Sequence, residues 1–384
     1  MFRKVLFWSH LVAGVACGLV ILMMSVTGVL LTYEHQLIAR AEQPMRHVPA
    51  AADPAPLPLE DLLRQFAGND PAVAPIEVFL ASDPRAPMVV WAGDESHYVD
   101  RYNGTILTDS AAGVRSFFDT IVGWHRWFDA DESGRELARA VTGASNLAFL
   151  FLLLSGIYLW LPPVFRRTAF RVRVFFNPRA DNAKARDYNW HHVFGFWSVL
   201  PLIVIVASAL VFSYGWANDL LYRAVGDTPP VERRPPPMSE MEVGPDTPSI
   251  ETTGLDAYVQ AAAIAAPGWT SLTFVLPGPG ARQVDVRVDY GTGRQPQKRE
   301  TLRLDIATAA IAAREPFASL PAGRKARSWV RFLHTGEALG LLGQTVAGLV
   351  SLTSVLMVWT GLALAWRRLV SPVLRRRRLA AGST

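Results

Sequence analysis

The sequence predicts an integral membrane protein, mainly α, with four transmembrane helices arranged as a duplicated helix–loop–helix and two long loops folded as small α+β domains. Three observations carry this. Half of the 384 residues are apolar and the mean hydropathy is positive, which is rich for a water-soluble enzyme. Four apolar runs, 5–33, 141–161, 193–216 and 339–366, contain no Asp, Glu, Lys or Arg and reach the roughly 20 residues a bilayer crossing needs. The spacing of histidines and small residues in the first half also recurs in the second.

The first helix is expected over 1–36. Its apolar run exceeds the about 7–15 residues of a signal-peptide core, and no small-x-small site follows, so it reads as an uncleaved span. It holds the only cysteine, Cys17, which excludes an intramolecular disulfide. An outer α+β domain is expected over 37–137, from an amphipathic "LPLEDLLRQFA" and the alternating segments "PIEVFLA", "PMVVWAG" and "HYVDRYNGTILTD", with a turn at Asn103-Gly104. Helix two follows over 138–162, a basic loop over 163–189 and helix three over 190–217. A second outer domain is expected over 218–333, from "LDAYVQAAAIAA", "SLTFVLPG", "RQVDVRVDYG" and "ETLRLDIATAAIAA", after a Pro-rich linker at 226–248. Helix four is expected over 334–367 and a basic tail over 368–384.

Orientation follows from the short segments. Arg3 and Lys4 precede helix one; Arg166, Arg167, Arg171, Arg173, Arg179, Lys184 and Arg186 crowd the middle loop; Arg367, Arg368 and Arg375–Arg378 fill the tail. The positive-inside rule places these segments and both termini in the cytoplasm, with the long loops outside. The net charge of +5 therefore reflects topology. Lipid is the expected partner; no aromatic–basic motif of a nucleic-acid reader is present.

The repeat is carried by histidines and small residues. His10 is followed by Gly14 and Thr27-Gly28; His191, at the same offsets, by Gly195 and Ser208-Ala209. Gly143 and Gly156 are spaced like Gly348 and Gly361. His125 in "VGWHRWF" precedes helix two, and His334 in "VRFLHTGEALG" precedes helix four. A pseudo-twofold axis would let His10 face His191 and His125 face His334. Such pairs suit axial ligation of haem iron. Zinc or copper usually needs three or four ligands, and purely structural histidines are the remaining reading. Four histidines placed alike at membrane depth, where ionisable groups are costly, favour haem.

Gly14 and Gly195 lie one turn from their histidines, on the same helix face, and leave space for a flat macrocycle; helix packing is the alternative. His192 rivals His191 but lacks the glycine relation, so a propionate or a lipid headgroup is its expected contact. His35 is a substitute candidate at the outer end, although its counterpart in the repeat is Trp216. Arg126 is a candidate for a haem propionate. His47 and His97 read as ordinary loop residues. Asp129, Asp131 and Glu132 read as a solvated acidic loop, with attraction of a cation as the alternative.

"SHLVAG", "GWHRWF", "NWHHVFG", "FLHTGEALG" and "YVDRYNGTILTD" together resemble the PepSY-associated transmembrane helix family of bacterial inner-membrane proteins. The resemblance covers nearly the whole chain. It implies periplasmic PepSY-like loop domains and two b-type haems, held by His10 with His191 (inner) and His125 with His334 (outer). It also implies an oxidoreductase that carries electrons to a periplasmic acceptor such as a ferric siderophore. Oxygen ligands suit ferric iron, and reduction weakens their grip. Ser208-Ala209 departs from the Thr-Gly expected in helix three. No G-x-G-x-x-G follows a strand, so quinol or a separate reductase is the expected donor. Two other readings stay open: a non-enzymatic accessory protein, and a siderophore or metal permease component. No hydrolytic constellation is present.

Overall fold

The four apolar runs form the four longest helices. The computed structural model describes residues 1–47, 55–69, 77–92, 95–230, 254–277 and 281–374. Among these, α1 (Phe2–Leu30), α5 (Glu132–Trp160), α7 (Ala183–Ser213) and α11 (Gly340–Leu369) are the long helices, and the four segments built on them are long and apolar enough to cross a membrane. The arginines at 375–378 and the linker beyond residue 230 lie outside the described residues.

Capping sets the helix starts where hydropathy does not. α5 begins at Glu132 rather than near 138, because the Asp131 side chain accepts from Gly134 N. α7 begins at Ala183 rather than 190, with Asn182 accepting from Ala185 N. It ends at the extended Tyr214, and α8 (Gly215–Ala224) follows. Helix four, expected from 334, starts at Gly340 as α11, and His334 instead ends a separate helix, α10 (Ala322–His334), in the stretch expected as outer domain. Gly336 turns between them at φ +76°, and a Cβ there would lie 2.4 Å from the Gly343 carbonyl oxygen, so only glycine fits. His334 thus ends a short helix ahead of the span. His125 has the same placement, in α4 (Ala112–Trp127) ahead of α5. The remaining helices are α2 (Glu34–Ala41), α3 (Leu59–Asn69), α6 (Arg167–Val174) and α9 (Leu255–Ala265).

Two compact units result. One comprises 1–34, 116–221 and 329–384, the other 35–115 and 222–328. In the first, α1 packs on α5 and α11, and α7 packs on the same two helices. The four long helices therefore form a ring with α1 diagonal to α7. Small residues set their approach: a Cβ at Gly348 would lie 2.7 Å from Thr32, and one at Gly18 3.3 Å from Leu362. Ser25 and Ser354 hydrogen-bond across α1 and α11 at 2.9 Å, and Asn146 Nδ2 donates to Val206 O at 3.0 Å.

The second unit is built on one sheet. Its strands are β1 (Glu77–Ala81), β2 (Met88–Ala92), β3 (Glu95–Val99), β4 (Ile106–Leu107), β5 (Ser271–Val275), β6 (Gln283–Asp289), β7 (Arg299–Asp305) and β8 (Ile311–Pro316). The order is β4-β3-β2-β1-β5-β6-β7-β8, antiparallel throughout. The two long loops, expected as separate α+β domains, thus give four strands each to a continuous sheet, joined where Glu77 to Ala81 pair with Val275 to Ser271. Pairing β1 with β5 removes two open edges. α3 and α9 share one core on this sheet, with Leu62, Leu63, Phe66, Leu255 and Tyr258 against Val78, Val90, Phe274, Val286 and Leu302. Asp256 accepts from Leu59 N and Glu60 N, and Glu60 accepts from Gly254 N, so each helix start caps the other.

Candidate functional site: two histidine pairs in the helical unit

Each of the four repeat histidines places its Nδ1 on a hydroxyl of another helix. His10 of α1 meets Ser155 Oγ of α5 at 2.8 Å, and His191 of α7 meets Thr360 Oγ1 of α11 at 3.1 Å. His125 of α4 meets Thr27 Oγ1 of α1 at 2.8 Å, and His334 of α10 meets Ser208 Oγ of α7 at 3.1 Å. The two histidines of the long helices lie at the end where Arg3, Arg367 and Arg368 gather; this is the basic-end pair. The other two form the far-end pair.

The proton positions follow from the partners. His191 Nδ1 also contacts Met357 O at 3.1 Å, and His334 Nδ1 contacts Ile205 O at 2.9 Å. A carbonyl only accepts, so Nδ1 carries the hydrogen in both rings. All four hydroxyls also reach a carbonyl of their own helix: Ser155 that of Leu152, Thr27 that of Met23, Ser208 that of Ile205 and Thr360 that of Leu356. In His191 and His334 Nδ1 is the donor and Nε2 keeps its lone pair, and in all four rings Nδ1 is the nitrogen held by a neighbouring helix. Among the described residues no hydrogen bond reaches any of these Nε2 atoms.

The far-end rings of His125 and His334 lie 6.3 Å apart between centroids. Two metal–imidazole bonds of about 2 Å and two ring radii of about 1 Å come to about 6 Å, so the spacing suits one metal atom between the rings. His10 and His191 lie within electrostatic range of each other. Among the described residues no group of three or more His, Cys, Asp or Glu could hold a metal ion. A two-nitrogen donor set, with the second ring nitrogen anchored, suits a metal whose other ligands come from a macrocycle.

Glycines line the rings, but not the two singled out from the spacing. A Cβ at Gly156 would lie 3.6 Å from His10 Cε1, one at Gly361 3.3 Å from His191 Cε1, and one at Gly28 3.7 Å from His125 Cε1. Gly14 and Gly195 instead look onto Leu152 at 3.9 Å and Met357 at 3.4 Å. The sequence signal for the ring contacts lies in Thr27-Gly28, Ser155-Gly156, Ser208-Ala209 and Thr360-Gly361, whose spacing marks only the repeat. Ser208-Ala209, the departure from Thr-Gly, keeps the hydroxyl that holds His334.

The other candidates fall elsewhere. His192 turns its Nδ1 back onto Tyr188 O of its own helix at 2.8 Å and lies against the Tyr188 ring. His35 is the second residue of α2, in the sheet unit. Arg126 stacks over Trp127 with 4.8 Å to the ring centroid. His47, read as a loop residue, stacks on Tyr102 and meets the nearly buried Asp100 at 3.2 Å.

The chain belongs to the family described as the PepSY-associated TM region, whose model matches residues 7–368. It is a membrane protein, by that membership and by its four apolar helices. A search of curated proteins found no match.

Proposed function

We propose that the chain is a b-type di-haem protein of the bacterial inner membrane that carries electrons to a periplasmic acceptor, with a ferric siderophore as that acceptor. The observation that carries this reading is the shared state of the four imidazoles: Nδ1 anchored, Nε2 bare, in two pairs. A bound b-type haem supplies reversible one-electron chemistry at its iron. His10 with His191, and His125 with His334, would hold the two haem irons. The hydroxyls of Ser155, Thr360, Thr27 and Ser208 hold the rings in the ligating tautomer and raise their basicity. Gly156 and Gly361 leave room beside the basic-end rings, and Arg126 would meet a propionate. The two halves are a duplicated helix–loop–helix. Both termini lie in the cytoplasm with the Arg-rich segments, and the sheet unit lies in the periplasm. Quinol or a separate reductase is the donor.

The test is a reduced-minus-oxidised spectrum of the detergent-purified protein, with haem per chain by pyridine haemochrome. A low-spin b-type spectrum with about two haems per chain is expected for bis-imidazole ligation. A colourless protein from haem-replete cells overturns the reading.

A further inference from the structure

Four arginines gather beside the far-end histidines. Arg126, Arg135 and Arg139 all stack on one indole, with 4.8, 5.3 and 5.1 Å from guanidinium carbon to the Trp127 centroid. The charge of Arg331, from α10, reaches Arg126 as that of Arg139 does. All four side chains are exposed. Like charges held together this way repel, and the face of one tryptophan offsets only part of that.

The nearby acids do not neutralise them. Among the described residues none of the four arginines forms an ion pair with a carboxylate. Asp131 is taken up as the cap of α5, accepting from Ser133 and Gly134, although its charge reaches Arg135. Among the described residues Asp129, Glu132 and Glu136 form no ion pair with a guanidinium. The cluster also sits at the end of the bundle opposite the basic segments, where the positive-inside bias disfavours arginine. One haem propionate would engage one guanidinium and leave the rest.

We infer that Arg135, Arg139 and Arg331, which a propionate at Arg126 leaves free, form a binding site for an oxygen-rich anion, and that it takes a ferric chelate of net negative charge. Planar guanidinium forks match carboxylate and hydroxamate oxygens in pairs, and a positive rim raises the encounter rate of an anion. The inference rests on the electron-transfer reading for what becomes of the chelate, but binding stands apart from it.

The experiment uses the full chain in nanodiscs of zwitterionic lipid and the redox-inert gallium(III)–EDTA anion, with binding read by calorimetry. Binding of this anion, with no binding of a cationic gallium trihydroxamate, is expected. Affinity should fall about tenfold for each of Arg135→Gln and Arg139→Gln, as for a lost charge-assisted hydrogen bond, and should weaken as salt is raised. Arg139→Lys, which keeps the charge, should retain most of the affinity and guards against a folding defect in the glutamine variants. Equal binding of both gallium complexes, or glutamine variants that bind as the parent does, overturns the inference. So does arginine-dependent retention of phosphatidylglycerol without chelate binding, which assigns the cluster to lipid phosphate. Gallium takes up no electron, so a colourless protein sinks the haem reading and leaves this test standing.

Discussion

The two histidine pairs use the same parts in opposite order. At the basic end the rings stand on the long helices α1 and α7, and the hydroxyls come from the neighbouring long helices α5 and α11. At the far end the rings stand on α4 and α10, short helices ahead of the spans, and the hydroxyls come from α1 and α7. The basic-end rings are therefore placed by helices that a bilayer already orients. The far-end rings are placed only if two short helices dock. Within the basic-end pair there is a second difference: His191 has both a hydroxyl and the Met357 carbonyl, whereas His10 has the Ser155 hydroxyl.

The largest expected effect comes from the rings themselves. Single alanine changes at His10, His125, His191 or His334 should each take haem content from about two per chain to about one, since iron held on one side binds poorly. His192→Ala should leave both. Haemochrome assay after purification reads this, and one alanine that empties both pairs would break the comparison. Next are the hydroxyls. Ser155→Ala should weaken haem retention by about 10–100-fold, the usual cost of losing a second-shell partner. Thr360→Ala should cost less because Met357 O still holds Nδ1; equal losses in a haem-transfer assay to apomyoglobin would show that the carbonyl contributes nothing.

Smaller effects are expected at the glycines. Gly361→Ala brings a methyl to 3.3 Å from His191 Cε1, against 3.6 Å from His10 Cε1 for Gly156→Ala. The first should shift the basic-end haem absorption and the second should shift it less, with the far-end band unchanged. The smallest effect lies in the sheet unit. The side-chain hydrogen bond from Arg85 holds the Asp83 carboxyl down to about 2, against partial burial. A depressed carboxylate adds stability at neutral pH that is lost as pH falls from about 4 towards 2. Asp83→Asn should flatten that acid limb and cost under about 1 kcal/mol, read by hydrogen exchange in 35–115, with haem content unchanged.

The parts legible in the sequence are those with a local cause. An uncharged apolar run spans lipid wherever it occurs, so all four long helices could be read from composition. Alternation in "RQVDVRVDYG" reads as a strand because successive side chains point to opposite faces, and β6 buries Val284, Val286 and Val288 accordingly. The four histidines stood out by their offsets. Their partners did not: each bond joins residues 98 to 169 positions apart, and no period links Thr27 to His125. The β1–β5 seam was hidden for the same reason, since two edge strands carry no mark of which edge they will meet. Gly14 and Gly195 share a helix face with their histidines by spacing alone, yet the rings turn towards the glycines of neighbouring helices.

By itself the sequence determined the four spans, the Arg-rich segments, most strands and the four histidines, because hydropathy, alternation and spacing act over a few residues. Only the tertiary structure decided which nitrogen of each imidazole is anchored, that His334 stands on its own short helix, that the two loops share one sheet, and that Arg331 joins three arginines from the other half of the chain. Those outcomes depend on hydrogen bonds, charge and close packing between distant segments. Such forces act over a few ångströms in space, whatever the separation along the chain.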